Sequence, residues 1–129
     1  MSVPTFTVVI RKAYGLGALG MAGGSFHASV FAISWPTGEF GGMGLEGQVK
    51  LGRRKELAAI EDPDERLRTY ETYVAQMYER GKALNTASLF ELDNVIDPAE
   101  TRNWVIAGLN SVPPPPPRTG KKRPFVDGW

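Results

Sequence analysis

A chain of 129 residues with 42% hydrophobic and 22% charged side chains has the composition of one ordinary globular domain. Its 15 basic and 14 acidic residues leave a net charge of +1, which gives no whole-chain attraction for nucleic acid or an anionic membrane. There is no cysteine, so neither a disulfide frame nor a thiolate nucleophile is available, and a reducing, cytoplasmic setting is expected.

The start, Met1-Ser2-Val3-Pro4-Thr5, lacks the basic-then-apolar pattern of a signal peptide. No apolar run approaches the roughly 20 residues that span a bilayer, so a soluble protein is expected. Residues 5–11, Thr-Phe-Thr-Val-Val-Ile-Arg, are β-branched and aromatic and predict one buried strand. A glycine-rich stretch with Gly15, Gly17, Gly20, Gly23 and Gly24 follows. A second strand is expected over 28–34, ending at the breaker Trp35-Pro36-Thr37-Gly38. Gly41 to Gly44 then opens a helix carrying Leu45, Val49 and Leu51.

The second half reads as helical. Asp62-Pro63-Asp64-Glu65 supplies an N-cap, a proline at the first helical position and an acid two residues on. Leu67, Tyr70, Val74, Met77 and Tyr78 then form one stripe, with Tyr70 and Tyr78 expected in the core, and Gly81 ends or bends the helix. A short 90–95 segment precedes Asp97-Pro98-Ala99-Glu100, a second start of the same type. The helix from there is expected to turn Val105, Ile106 and Leu109 inward and to stop at Pro113. Pro113 to Pro117 are five consecutive prolines, an extended spacer ahead of a basic tail, so the chain divides into a domain over 1–112 and a tail over 113–129. Only two strands are legible, and a lone pair is not stable without more sheet or a covering layer. The chain is therefore expected to be a fragment in evolutionary terms, or to complete its sheet with a partner.

Gly15-Leu16-Gly17-Ala18-Leu19-Gly20 fits G-x-G-x-x-G after a strand, with Glu39 near the spacing of a ribose-binding acid. Against a dinucleotide loop, Gly20, Gly23 and Gly24 are expected to leave little more than one helical turn, and Glu39 lies beyond the Trp35-Pro36 breaker rather than at a strand end. The same residues suit an anion site. Strand, glycines and helix start together aim unpaired N–H groups at one spot, which steadies negative charge developing on an oxygen. A tight turn needed only for packing is the competing reading, and the residues alone do not separate the two.

The remaining candidates read as structural. His27, the only histidine, has no metal-ligand spacing around it and suits a strand edge. Glu61-Asp62 and Asp64-Glu65 fit helix-start electrostatics. Arg53-Arg54-Lys55 suits a solvated helix face in preference to a phosphate contact. Lys121-Lys122-Arg123 is too short and too poor in aromatics for nucleic acid. No nucleophile elbow or P-loop occurs.

Residues 3–15, Val-Pro-Thr-Phe-Thr-Val-Val-Ile-Arg-Lys-Ala-Tyr-Gly, resemble the V-P-x-x-T-V-[IV]-x-R-K-[AG]-Y-G segment of the biotin-dependent acyl-CoA carboxyltransferases, the propionyl-CoA carboxylase β-chain family. Trp35-Pro36-Thr37-Gly38-Glu39-Phe40 with Met43-Gly44 is similar to that family's W-P-T-[AG]-E-[IF]-x-x-M-G. Residues 94–102, Asn-Val-Ile-Asp-Pro-Ala-Glu-Thr-Arg, are similar to its D-x-[IV]-I-x-P-x-x-T-R. The resemblance implies an α/β, ClpP/crotonase-like fold, here only the C-terminal part of the second carboxyltransferase domain, with few strands followed by a mostly helical half.

The resemblance also implies the chemistry, which is carboxyl transfer between carboxybiotin and the α-carbon of an acyl-CoA. In that family the turn after R-K-[AG]-Y supplies backbone N–H groups to the biotin ureido oxygen. By position the donors fall among Gly15, Leu16, Gly17 and Ala18, with Tyr14 and Glu39 beside the biotin. Where the family commonly has Y-G-G-A-Y, this chain has Tyr14-Gly15-Leu16-Gly17-Ala18, so the donor register is open. The implied partners are an acyl-CoA, a biotin carrier or biotin carboxylase subunit, and further copies in a homo-oligomer. Most acyl-CoA contacts belong to an N-terminal domain that these residues do not include, and turnover by the isolated chain is not expected.

Overall fold

The computed structural model describes residues 3–114 together with Pro117 and Gly120. The expected polyproline spacer beyond Pro114 and the basic tail at Lys121 to Arg123 lie outside the described residues, Pro117 and Gly120 apart.

The apolar run over 5–11, expected as one strand, is strand only as far as Val9, and a second strand follows just beyond it. β1 (Phe6–Val9) belongs to one sheet and β2 (Lys12–Tyr14) to another. Downstream the chain repeats the step. β3 (Phe31–Ser34) runs parallel to β1, with Phe6 opposite Phe31, and β4 (Glu39–Gly41) runs parallel to β2, with Tyr14 opposite Gly41. The jog between sheets is pinned by hydrogen bonds from the breaker. Trp35 N–H donates to the Val9 carbonyl at 2.9 Å, Thr37 Oγ1 to that of Ile10 at 2.5 Å, and Glu39 N–H to that of Arg11 at 2.6 Å. β5 (Asn94–Val95) pairs with the other side of β3, so the larger sheet has the order β1-β3-β5. Among the described residues, five strands thus replace the two expected, and none exceeds four residues.

The strand expected from Ala28 starts later, because Phe26–Ala28 is a 3-10 turn whose cap, Ser25 Oγ, accepts from His27 N–H at 3.2 Å. His27 is therefore on an exposed turn, 3.8 Å from Glu91, and not at a strand edge.

All four residues of β3 are buried, as suits a central parallel strand covered on both faces. Alternation sends its side chains two ways. Phe31 and Ile33 meet Ile96, Phe6, Val8, Trp104 and Val105, while Ala32 meets Val9, Ala13, Phe40, Ala83 and Leu92. Complete burial of Ile33 contributes on the order of 1.5–3 kcal/mol. Ser34 is the one polar side chain in this core among the described residues, and its Oγ donates to the Trp35 carbonyl at 2.8 Å. Asp93 extends the β3 ladder: its N–H donates to the Ala32 carbonyl at 2.8 Å, and its Oδ2 accepts from Ala32 N–H at 2.7 Å.

Among the described residues, six α-helices complete the fold: α1 (Gly15–Met21), α2 (Leu45–Gly52), α3 (Arg54–Ala58), α4 (Pro63–Arg80), α5 (Ala83–Ser88) and α6 (Thr101–Ser111). The α4 start is as the sequence predicts, with Pro63 at the first position and Asp62 Oδ1 accepting from Asp64 N–H at 3.0 Å. Its apolar stripe is shallower than expected. No α4 residue is fully buried, and Tyr70 and Tyr78 sit half-buried at the surface with Lys50 over the Tyr70 ring. In α2, Leu45 and Val49 point inward but Leu51 is exposed.

The buried face of α6 is also shifted from the expected one. Ile106 and Leu109 are exposed, while Trp104, Val105 and Gly108 face the sheet. A Cβ on Gly108 would stand 2.7 Å from a Phe6 ring carbon and 2.8 Å from one of Phe31. The helix lies so close to the Phe6–Phe31 stack that only glycine fits the crossing.

Candidate active site

The glycine segment is not a free loop but the start of α1. Tyr14 ends β2 in extended geometry and is the N-cap residue, yet its side chain makes no capping bond and the first turn carries no acid. In a helix beginning at Gly15, the N–H groups of Leu16 and Gly17 have no preceding helical carbonyl to bond, whereas the β2–β4 register gives that of Gly15 to the Gly41 carbonyl. Ala18 is the first within reach of one, that of Tyr14. The uncapped donors sit at the positive end of the helix dipole. Gly15 has φ +58°, and a Cβ there would come 2.8 Å from the Gly42 carbonyl oxygen. Conformation and contact both demand glycine. Leu16 is 85% exposed, while Ala18 packs against the core, so the start of α1 is open on one side and anchored on the other.

β2 and β4 fix the surroundings. Because Lys12 pairs with Glu39 and Tyr14 with Gly41, the Tyr14 hydroxyl reaches the Glu39 carboxylate and donates to Oε2 at 2.8 Å. Burial, and next the hydrogen bond to Glu39, raise the Tyr14 pKa well above the usual phenol range. Tyr14 thus stays a neutral donor at any physiological pH. On the outer edge of β4, Phe40 N–H donates to the Gly81 carbonyl at 2.7 Å and Ala83 N–H to that of Gly38 at 3.0 Å. Tyr78 Oη donates to Glu46 Oε1 at 2.5 Å, tying α4 to the first turn of α2. The structure therefore brings Tyr14, Gly15 and Glu39 together, with Leu16, Gly17 and Ala18 following on the same helix.

One expectation about the turn changes: α1 runs for seven residues, about two turns, before Gly23 and Gly24 end it with φ of +83° and +110°. It is still shorter than the crossover of about a dozen residues that a dinucleotide loop leads into. Glu39 lies beyond the breaker, as expected, and is the first residue of β4. Further facts disfavour the dinucleotide reading: Gly17 and Gly20 lie inside the helix rather than in a loop ahead of it, and Glu39 is engaged by Tyr14. Sequence reasoning missed Gly42, whose carbonyl lies against Gly15; the Gly41–Gly44 run was its only signal. It also missed Tyr78 and Glu46, which have no motif spacing.

The three segments that carried the sequence resemblance meet in space. β2 from the first pairs with β4 from the second, and Trp35 Nε1 donates to Thr101 Oγ1 at 3.0 Å, joining the second to the third. Compared with known proteins, residues 1–112 match the carboxyl transferase domain. The chain belongs to that family. It is 37% identical over 112 residues to the methylmalonyl-CoA carboxyltransferase 12S subunit of Propionibacterium freudenreichii subsp. shermanii, covering 84% of this chain and 20% of that protein. Among solved structures, a single-chain, multi-domain long-chain acyl-CoA carboxylase superposes with a TM-score of 0.68 at 51% identity, over 81% of this chain and 10% of that one. A transcarboxylase 12S structure, described as a hexamer with methylmalonyl-CoA bound, gives a TM-score of 0.74 at 31% identity, over 95% of this chain and 23% of that one. The α/β, crotonase-like fold expected from the resemblance is thereby shown. The chain spans about a fifth of the length of the curated carboxyltransferases it matches. Among the described residues, no helix is long and apolar enough to cross a membrane, and no group of three or more acids and histidines could hold a metal ion.

Proposed function

We propose that this carboxyl transferase segment supplies the biotin side of a carboxyltransfer centre, acting in a complete assembly with an acyl-CoA and a biotin carrier or biotin carboxylase subunit. The observation that carries the reading is the uncapped start of α1 directly after Arg11-Lys12-Ala13-Tyr14, at a backbone position where Gly15 alone fits. Exposed N–H donors at a helix start suit the uncharged, oxygen-bearing ureido ring of biotin, and no carboxylate caps them. When bound, biotin carries the carboxyl group and has an oxygen on which negative charge gathers as that group leaves.

The part played by this chain is fixed before reaction. Leu16 and Gly17 hold N–H groups toward that oxygen, Gly15 giving the turn its shape, and such preorganised donors contribute on the order of 3–4 kcal/mol each in measured cases. Tyr14 and Glu39 hold the end of β2 and the start of β4 together, so the donors keep their direction. Ala18, also expected among the donors, serves here as the anchor of the helix on the core. Titrating the 129-residue chain with free biotin tests the reading. Saturable amide NMR shifts centred on Gly15 to Gly17 support it, and a folded sample with none contradicts it.

A second reading is favoured by the exposed Met21 and Phe90, 94% and 87% accessible. On that reading the chain keeps subunit-packing surfaces without catalytic work, and biotin leaves the Gly15 to Gly17 amides unmoved.

A further inference from the structure

Between α2 and α4 lies a cavity of about 170 Å³, lined by residues that belong to no part of the Tyr14–Ala18 turn. Its floor is apolar, made by the buried Val49 with Met77. Two arginines, Arg53 and Arg80, and two glutamines, Gln48 and Gln76, are among its lining residues. No carboxylate lines it. Glu56 pairs with Arg53 Nη1 at 2.9 Å and also accepts from the Tyr73 hydroxyl. Those bonds lay the Arg53 guanidinium over the Tyr73 ring, 4.9 Å from its centroid, and hold that wall in place. Arg80 has no ion pair among the described residues, so the cavity keeps one uncompensated positive charge.

One further group lacks a partner. Gln48 Oε1 is buried and accepts no hydrogen bond among the described residues. Buried polar atoms without partners are rare in native structures and ask for an explanation.

We infer that the α2–α4 cavity, through Arg80, Gln48 and the Val49–Met77 floor, binds a small organic monocarboxylate with a hydroxyl or amino donor. The net single charge selects a monoanion, since a dianion would face Glu56 with only one free guanidinium. The apolar floor selects an organic body over a bare inorganic anion, and the volume admits one of only a few heavy atoms. Arg80 would take the carboxylate, a planar match for its paired N–H groups. The ligand's donor would meet the carboxamide of Gln48.

The probe is 2-hydroxybutyrate, titrated into the 129-residue chain at constant ionic strength while side-chain amide and Arg Nε–H resonances are followed by NMR. Saturable millimolar binding is expected, with shifts at Gln48, Gln76 and Arg80. Arg80→Gln, an exposed change that leaves the packing alone, should weaken it about tenfold or more, a difference of about 1.4 kcal/mol. Gln48→Leu should make butyrate bind as well as 2-hydroxybutyrate. Shifts that grow linearly, or that spread equally over surface lysines and arginines, would overturn the proposal. Tighter binding of inorganic phosphate at the same residues would overturn the ligand class. The Gly15 to Gly17 amides should not respond, so the outcome is independent of biotin binding.

Discussion

The two sheets of this small domain are built from the same chain steps and end in opposite conditions. β1, β3 and β5 enclose Phe31, Ile33 and Ile96 under α6, and Ile33 is wholly buried. β2 and β4, one jog further along, carry Tyr14 and Glu39 half-exposed, and β2 leads into α1, whose Leu16 and Met21 stand almost entirely in solvent. The larger sheet supplies stability; the smaller one spends little of it and presents a backbone. A site that works through N–H groups needs such a division, because the donors must stay unpaired while the chain that bears them does not move.

That contrast breaks most visibly at the larger sheet. Ile33→Ala should cost about 2–5 kcal/mol in urea unfolding, from lost burial and an unfilled cavity between β3 and α6. Gly15→Ala comes next. A left-handed φ costs a residue with a Cβ about 1–2 kcal/mol, and the approach of the Gly42 carbonyl adds to it. Unlike Ile33→Ala, it should also displace the Leu16 and Gly17 amide resonances in the folded state.

Tyr14→Phe removes the hydrogen bond to Glu39 and should cost about 1 kcal/mol at neutral pH. It has a pH signature as well. The folded-state pKa of Tyr14 is raised, so the unfolded chain loses that proton first. The contribution is whole below the unfolded value of about 10 and is lost as pH rises above it. Tyr73 and Tyr78 shift in the same direction through hydrogen bonds to Glu56 and Glu46. Stability measured by urea titration should therefore fall above pH about 10, less steeply in Tyr14→Phe than in the parent chain. Smallest are Leu16→Ser and Met21→Ser, expected within about 0.5 kcal/mol of the parent because both side chains are already in water. A larger loss at either would mean that α1 is covered in solution.

The same division decided what the sequence disclosed. The α4 start was legible because Asp62 and Pro63 act locally, on the first turn that follows them. The glycine turn was legible as a candidate because glycines cluster there. β2, β4 and β5 were not, since two or three residues are too few to show alternation. Nor was the break within residues 5–11, because the bonds that impose it come from Thr37 and Glu39, far along the chain. The inward face of α6 was misread for a similar reason: Gly108 adds nothing to a hydrophobic pattern, yet it marks the closest approach to the sheet. Long-range contacts fixed what local patterns left open, including the pairing of Glu39 with Tyr14.

Amide hydrogen exchange of the 129-residue chain, with and without biotin, tests the central claim most directly. Ile33 and Ser34 should exchange only through global unfolding, while Leu16 and Gly17 exchange near unfolded-chain rates until biotin slows them. Strong protection of Leu16 and Gly17 in the free chain, or no change there on biotin binding, would contradict the proposed site.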